Sequence, residues 1–178
     1  MQSISYKVAL GGIISSLCLL CMFLTGVIPV MYIVLPMIAG ILMMIIAIEV
    51  DTKWAFLTYL STSILSMIIT FDKESALLYI LLFGHYPIIK KYIDTIKPRI
   101  IRIITKTTIF NTSILLTAFL TIHLLGMTEF YDELLKKGPV IVAVILAVMN
   151  FICAAYDISL EGIFQNYCRS LKPRLKHY

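Results

Sequence analysis

Two amide side chains sit where amides are expensive. Asn111 and Asn150 each lie near the middle of a long apolar run, and the two runs are consecutive. In hydrocarbon a carboxamide costs free energy unless its donors and acceptor are hydrogen-bonded. On antiparallel neighbouring helices at equal depth, the two can bond each other as a clamp. Alternatively they line a polar pocket for a small ligand, with Tyr79 and His123 nearer one face as its rim. The expected substrate-binding set is therefore Tyr79, Asn111, His123 and Asn150. A second pair, Asp157 and Glu161, is spaced four apart and shares one helix face. It could share a proton, but a solvated pair at a helix end accounts for it, with basic partners such as Lys90 or Arg102 on the same side.

Other reactive constellations are missing from the sequence. There is no HExxH metal signature, no nucleophile set beside a base and no Gly-rich phosphate loop. The histidines at 85, 123 and 177 fall in different segments. Cys18 and Cys21 form a CxxC inside an apolar run; Cys153 is also apolar in context, and Cys168 lies near a basic tail. Thiolates are disfavoured in hydrocarbon, so these cysteines read as small apolar residues rather than redox or metal ligands. No catalytic residues, metal or cofactor are expected, and the chain is read as a non-enzyme.

These residues must be positioned by membrane helices. The 178-residue chain is 60% hydrophobic and 14% charged, against roughly 25% charge in soluble domains. So much apolar surface exceeds what a small soluble fold can bury. The expected class is an all-α integral membrane protein, one transmembrane domain over 1–178 without a cleavable signal peptide. Its fold is a six-helix bundle with segments at about 5–24, 31–50, 54–71, 76–89, 103–125 and 139–158. Pro29, Pro36, Gly84, Pro87 and Pro139 punctuate it, with Phe83-Gly-His-Tyr-Pro87 expected to bend or end segment four. Ser75 is the expected cap of that segment, and Thr58, Ser61, Thr62, Ser63 and Ser66 are expected to bond back to their own helix. A short amphipathic helix is expected in the 126–138 loop.

Charge sets the orientation. The stretch 90–106 holds six of the fifteen Lys and Arg residues and is expected as a basic inner loop, partly an amphipathic surface helix divided by Pro98. With this loop inside and six segments, both termini are cytoplasmic. Inner parts then carry twelve basic residues and outer loops three. Such a face suits anionic lipid rather than nucleic acid.

In the first segment Gly11 and Ser15, and Gly12 and Ser16, are four apart, stacking small residues so that another backbone can approach. They pack against the protein's own helices or dock a partner. With length, helix number and orientation, this motif resembles the S component of energy-coupling factor transporters, the membrane subunits that bind vitamins. The Phe83-Gly-His-Tyr-Pro87 stretch also resembles small uncharacterised membrane proteins of low-GC Gram-positive bacteria. The resemblance implies a membrane-embedded substrate-binding subunit for uptake of a small solute such as a vitamin. The pocket would lie among segments four to six. Separate ATPase and coupling transmembrane subunits would supply energy, with Gly11, Gly12, Ser15 and Ser16 as the docking face. The alternative is a non-transporting scaffold or accessory subunit of a bacterial envelope complex. An outward-opening pocket lined by Asn150, His123 and Tyr79 would favour the solute binder; a dry core with Asn111 bonded to Asn150 would favour the scaffold.

Overall fold

The fold comes from a computed structural model that describes residues 3–126, 138–167 and 169. Every regular element among the described residues is helical. The helices are α1 (Ile4–Val27), α2 (Val34–Glu49), α3 (Thr52–Ile69), α4 (Lys73–Leu78), α5 (Tyr86–Ile93), α6 (Arg99–Leu125) and α7 (Pro139–Asn166). A short 3₁₀ turn, Pro29–Met31, precedes α2, and a wide π turn, Tyr79–Phe83, follows α4.

Local chemistry explains the boundaries. Ser3 caps α1, its hydroxyl accepting from the Tyr6 amide at 3.3 Å. Asp72 caps α4, accepting from the amides of Glu74 at 3.1 Å and Ser75 at 3.4 Å. The expected cap, Ser75, instead donates to Asp72 and to the Tyr32 carbonyl. Gly126 ends α6 in the left-handed conformation, φ 68°, which costs glycine nothing. Pro139 opens α7, where its missing amide hydrogen is harmless.

The break expected near Gly84 and Pro87 is present, and its mechanism is specific. The amide of Gly84 bonds the carbonyl of Tyr79, five residues back, at 2.7 Å. The chain then turns at His85 and restarts as α5, with Pro87 in its first turn. Glycine is required at two positions around this break. A Cβ on Gly84 would stand 2.9 Å from the Tyr59 ring, and one on Gly40 would stand 2.3 Å from both the Phe83 carbonyl and the Tyr156 hydroxyl. The broken segment can therefore lie tight against α2, α3 and α7.

That segment divides the interior. One core joins Ile14, Cys18 and Met22 of α1 to Met43 of α2, Tyr59 of α3 and Tyr79. The other joins Leu82, Phe83 and Tyr86 to Phe110 of α6 and to Cys153 and Tyr156 of α7. Contacts also link helix ends: Phe23 meets Phe71 at 5.7 Å, Ser75 donates to the Tyr32 carbonyl at 3.0 Å, and Tyr167 donates to Glu49 at 2.9 Å.

Polarity runs inside out. In α3 the buried residues include Thr58, Thr62, Ser63 and Ser66, while Phe56, Leu57, Ile64 and Ile68 are exposed. Thr58, Ser61, Thr62 and Ser66 return hydrogen bonds to their own helix, as expected of hydroxyls in hydrocarbon; the fifth expected, the buried Ser63, makes no such bond among the described residues. Such an apolar exterior is untenable in water. Three helices, α1, α6 and α7, are long and apolar enough to cross a bilayer. At 24, 27 and 28 residues, each exceeds the ~20 needed for a hydrocarbon core of roughly 30 Å. This is a helical membrane protein.

Helices α5, α6 and α7 extend beyond the expected bounds. The stretch expected as a basic loop, 90–106, is largely helical: Lys90 and Lys91 end α5, while Arg99, Arg102 and Lys106 lie in the opening turns of α6. Helix α7 continues to Asn166, two turns past the expected end at 158. The reason is that charges at these positions find partners or a cavity within the bundle, so backbone hydrogen bonding need not stop where apolar sequence stops. The expected amphipathic helix in the 126–138 loop falls on residues 127–137, outside the described ones, as do His177 and the tail beyond 169.

Candidate functional site

The site is built where α5, α6 and α7 meet at the basic end of the bundle. Tyr86, Lys90 and Asp94 recur every four residues and so share one face of α5 and its cap. Lys106 comes from the second turn of α6 and Asp157 from α7. The Lys90 ammonium donates to Asp157 and reaches Asp94 at 3.4 Å. Lys106 reaches Asp94 at 2.7 Å and Asp157 at 2.8 Å. Tyr86 donates to Asp157 at 2.6 Å. Two carboxylates and two ammonium groups thus alternate in a closed ring. Asp157 receives three donors, which offsets the cost of taking its charge out of water. Only 8% of the Lys90 side chain and 16% of that of Asp157 are exposed, so this is an interior network rather than a solvated surface pair.

The ring borders a cavity of about 1180 Å³. Its apolar wall includes Met44 and Ile48 of α2, Phe110 of α6, and Ala154, Ile158 and Phe164 of α7. The charged part adds Lys91, Arg99 and Arg102, with Glu161, to the ring. None of these four makes an ion pair among the described residues. Among the described lining residues, five cationic side chains therefore face three carboxylates, a surplus of two positive charges. Arg99 and Arg102, three apart, lie on adjoining turns of one α6 face. Guanidinium groups so placed can grip an oxyanion through two donors each. Chemically the cavity is equipped to hold an anion that also has an apolar part.

The residues singled out from the sequence fall in different places. Asn111 and Asn150 exchange amide hydrogen bonds at 3.2 and 2.9 Å, and each also donates to a carbonyl on its own helix, Thr107 and Leu146. They form a clamp between α6 and α7, and Asn150 also touches the cavity. Tyr79 lies in the other core, fully buried, with its hydroxyl 2.8 Å from that of Thr62. His123 is exposed near the opposite end of α6, its ring against Phe119 at 4.3 Å. Neither Tyr79 nor His123 lines the cavity, so the four do not assemble into one pocket among the described residues. They are separated because Tyr79 points to the α1–α3 side of the broken segment while α6 and α7 pack on the other.

The small-residue motif divides as well. Gly11 and Ser15 are half-buried, with an added Gly11 Cβ 3.4 Å from the Thr58 hydroxyl; Gly12 and Ser16 face outward, with open space at Gly12. The expectation of a solvated Asp157–Glu161 pair is corrected: Asp157 turns inward to the lysines while Glu161 stays exposed. Of the basic partners expected for that pair, Lys90 bonds Asp157 and Arg102 forms no ion pair among the described residues. Cys18 donates weakly to the Ala39 carbonyl at 3.3 Å, and Cys18, Cys21 and Cys153 are unpaired thiols. No group of three His, Cys, Asp or Glu among the described residues is placed to hold a metal ion.

Sequence reasoning missed Tyr86, Asp94 and Lys106. A signal existed: Tyr86, Lys90 and Asp94 repeat at helical spacing across the end of an apolar run. A single Asp157 within Ala-Ala-Tyr-Asp-Ile-Ser-Leu needs a cation from another helix. Comparison with protein-family models, with curated proteins and with solved structures gives no match.

Proposed function

We propose that the chain is a non-transporting membrane binding protein, an accessory subunit of the cell envelope, which holds an anionic ligand in a cavity on the cytoplasmic face. The observation that carries this reading is the surplus of two positive charges among the described lining residues, with Lys91, Arg99 and Arg102 making no ion pair among the described residues beside a satisfied ion ring. The topology rests on six crossings: α1, α2, α3, the broken α4–α5 segment, α6 and α7. The Phe23–Phe71, Ser75–Tyr32 and Tyr167–Glu49 contacts join the ends that alternate threading would place together. The positive-inside rule then puts the basic end, both termini and the cavity mouth in the cytoplasm. The Asn111–Asn150 clamp and a cavity at the basic end support this reading over an outward-facing solute pocket.

A second reading has its own observation. Gly12 and Ser16 leave an open, small-residue strip on the outer face of α1, where the coupling subunit of an energy-coupling factor transporter would dock. The chain would then be the substrate-binding subunit for solute uptake, energised by separate ATPase subunits. Purification from native membranes in mild detergent, followed by mass spectrometry of proteins and small molecules, separates the two. An anionic molecule retained by the wild type and lost with Arg99→Gln/Arg102→Gln is the expected result. Co-purifying ATPase and coupling subunits, lost with Gly12→Leu, would overturn it in favour of transport.

A further inference from the structure

We infer that the cavity is a site for a phosphomonoester lipid of the inner leaflet; this rests on the anion-binding reading above and names its ligand class. Charge is the first argument. A phosphomonoester carries about −1.5 to −2 at neutral pH, which matches the surplus of two positive charges among the lining side chains. A phosphodiester or a carboxylate supplies only one negative charge and leaves one cation unmatched. The ring of Lys90, Asp94, Lys106 and Asp157 is already neutral, so Lys91, Arg99 and Arg102, offset by Glu161, are the groups that meet the phosphate.

Shape is the second. A volume of about 1180 Å³ is far more than an inorganic phosphate needs and lies above the range of pockets for drug-sized molecules, roughly 300–1,000 Å³. The cavity is bordered by Ile103 of α6 and Ile158 of α7, which are also 53% and 71% exposed. Apolar side chains exposed on the outside of a membrane bundle face acyl chains, so a ligand with its headgroup in the cavity can lay its chains over Ile103 and Ile158, which a wholly water-soluble ligand cannot.

Direction is the third. Along α6 the lining passes from Arg99 and Arg102 through Lys106 to Phe110; along α7 it passes from Glu161 and Asp157 to Ala154 and Asn150. On α6 the charge lies at the basic end and gives way to Phe110; on α7 Phe164 and Gln165 flank the carboxylates at that end, and no charged lining residue lies deeper than Asp157. From Arg102 to Phe110 is eight residues, about 12 Å of helix. An inner-leaflet lipid has the same polarity over the same direction: headgroup at the cytoplasmic face, chains toward the midplane.

The test uses the full chain in phosphatidylcholine nanodiscs doped with dioleoyl phosphatidic acid or, at equal fraction, dioleoyl phosphatidylglycerol. Bound lipid is counted by native mass spectrometry after release into detergent. Losing charge-assisted bonds worth about 1.5–3 kcal/mol should cost at least about tenfold, so phosphatidic acid should outcompete phosphatidylglycerol by about that factor. The preference should vanish in Arg99→Gln/Arg102→Gln and weaken in the single exposed-site variant Lys91→Gln. Each variant's thermal midpoint, measured without added lipid, establishes that it is folded. Lowering pH through about 6, where the phosphomonoester loses its second charge, should reduce the preference. Equal retention of both lipids overturns the phosphomonoester assignment while leaving the anion site standing. Full displacement of phosphatidic acid by equimolar inorganic phosphate or glycerol 3-phosphate makes the ligand a soluble phosphomonoester and overturns the lipid assignment. Failure to retain any lipid or phosphate overturns both this inference and the anion-binding reading.

Discussion

Replacing Asp157 by Asn should uncouple α5, α6 and α7 more than any other conservative change at the basic end. The substitution keeps shape and one acceptor oxygen but deletes the charge that Lys90, Lys106 and Tyr86 address. Two ammonium groups would then depend on Asp94, whose side chain is 35% exposed and stands 3.4 Å from Lys90. Removing one member of a buried ion pair costs roughly 3–5 kcal/mol, because the orphaned charge stays desolvated. Here Lys106 keeps Asp94 at 2.7 Å, so the low end applies, about 3 kcal/mol. For a chain of this size that corresponds to a fall in Tm of about 6–12 °C. Unfolding can be followed in mild detergent through the fully buried thiols of Cys18 and Cys153, labelled with a thiol-reactive fluorophore in a Cys21→Ala, Cys168→Ser background. Adding Lys90→Met to Asp157→Asn leaves Lys106 balanced by Asp94, so the double variant should recover at least half of the loss. Salt should change little, since interior charges are weakly screened. Two results would refute the reasoning: Asp157→Asn within about 1 kcal/mol of wild type, or a double variant destabilised by the sum of the single effects.

Two further outcomes follow from the packing. Gly40→Ala places a methyl 2.3 Å from the Phe83 carbonyl and the Tyr156 hydroxyl. It should therefore cost at least the roughly 1–3 kcal/mol of an overpacked core, whereas Gly12→Ala, with open space around it, should be neutral or stabilising; equal Tm values for the two variants would contradict the close helix approach. Asn111→Leu or Asn150→Leu alone should each cost on the order of 1 kcal/mol by orphaning the other amide, and the double Leu variant should be no worse than either single one in the same thiol-labelling assay.

Much of the architecture was legible before any coordinates. Apolar runs bounded by Pro, Gly and charge mark helices because an unpaired backbone is intolerable in hydrocarbon. The break at Gly84 and Pro87 followed from the same rule. Depth counting on consecutive segments paired Asn111 with Asn150, since antiparallel neighbours bring equal depths together. Helix ends were less legible. Arg102 and Glu161 look like loop-side charges in one dimension, yet they lie within α6 and α7, because partners on other helices and a cavity receive the charge at this end.

The sequence by itself determined the membrane class, the basic end and the equal depth of Asn111 and Asn150, since each depends on composition, spacing or depth along single helices; that the two amides bond each other was decided by the tertiary structure. Only the tertiary structure decided that Asp157 turns inward to Lys90 and Lys106, that Gly11 faces α3 while Gly12 stays open, and that Tyr79 and His123 lie apart from the cavity. Those facts depend on the rotation of each helix about its axis and on the turn at Gly84. Both are set by side chains from segments distant in the chain meeting in a close-packed interior.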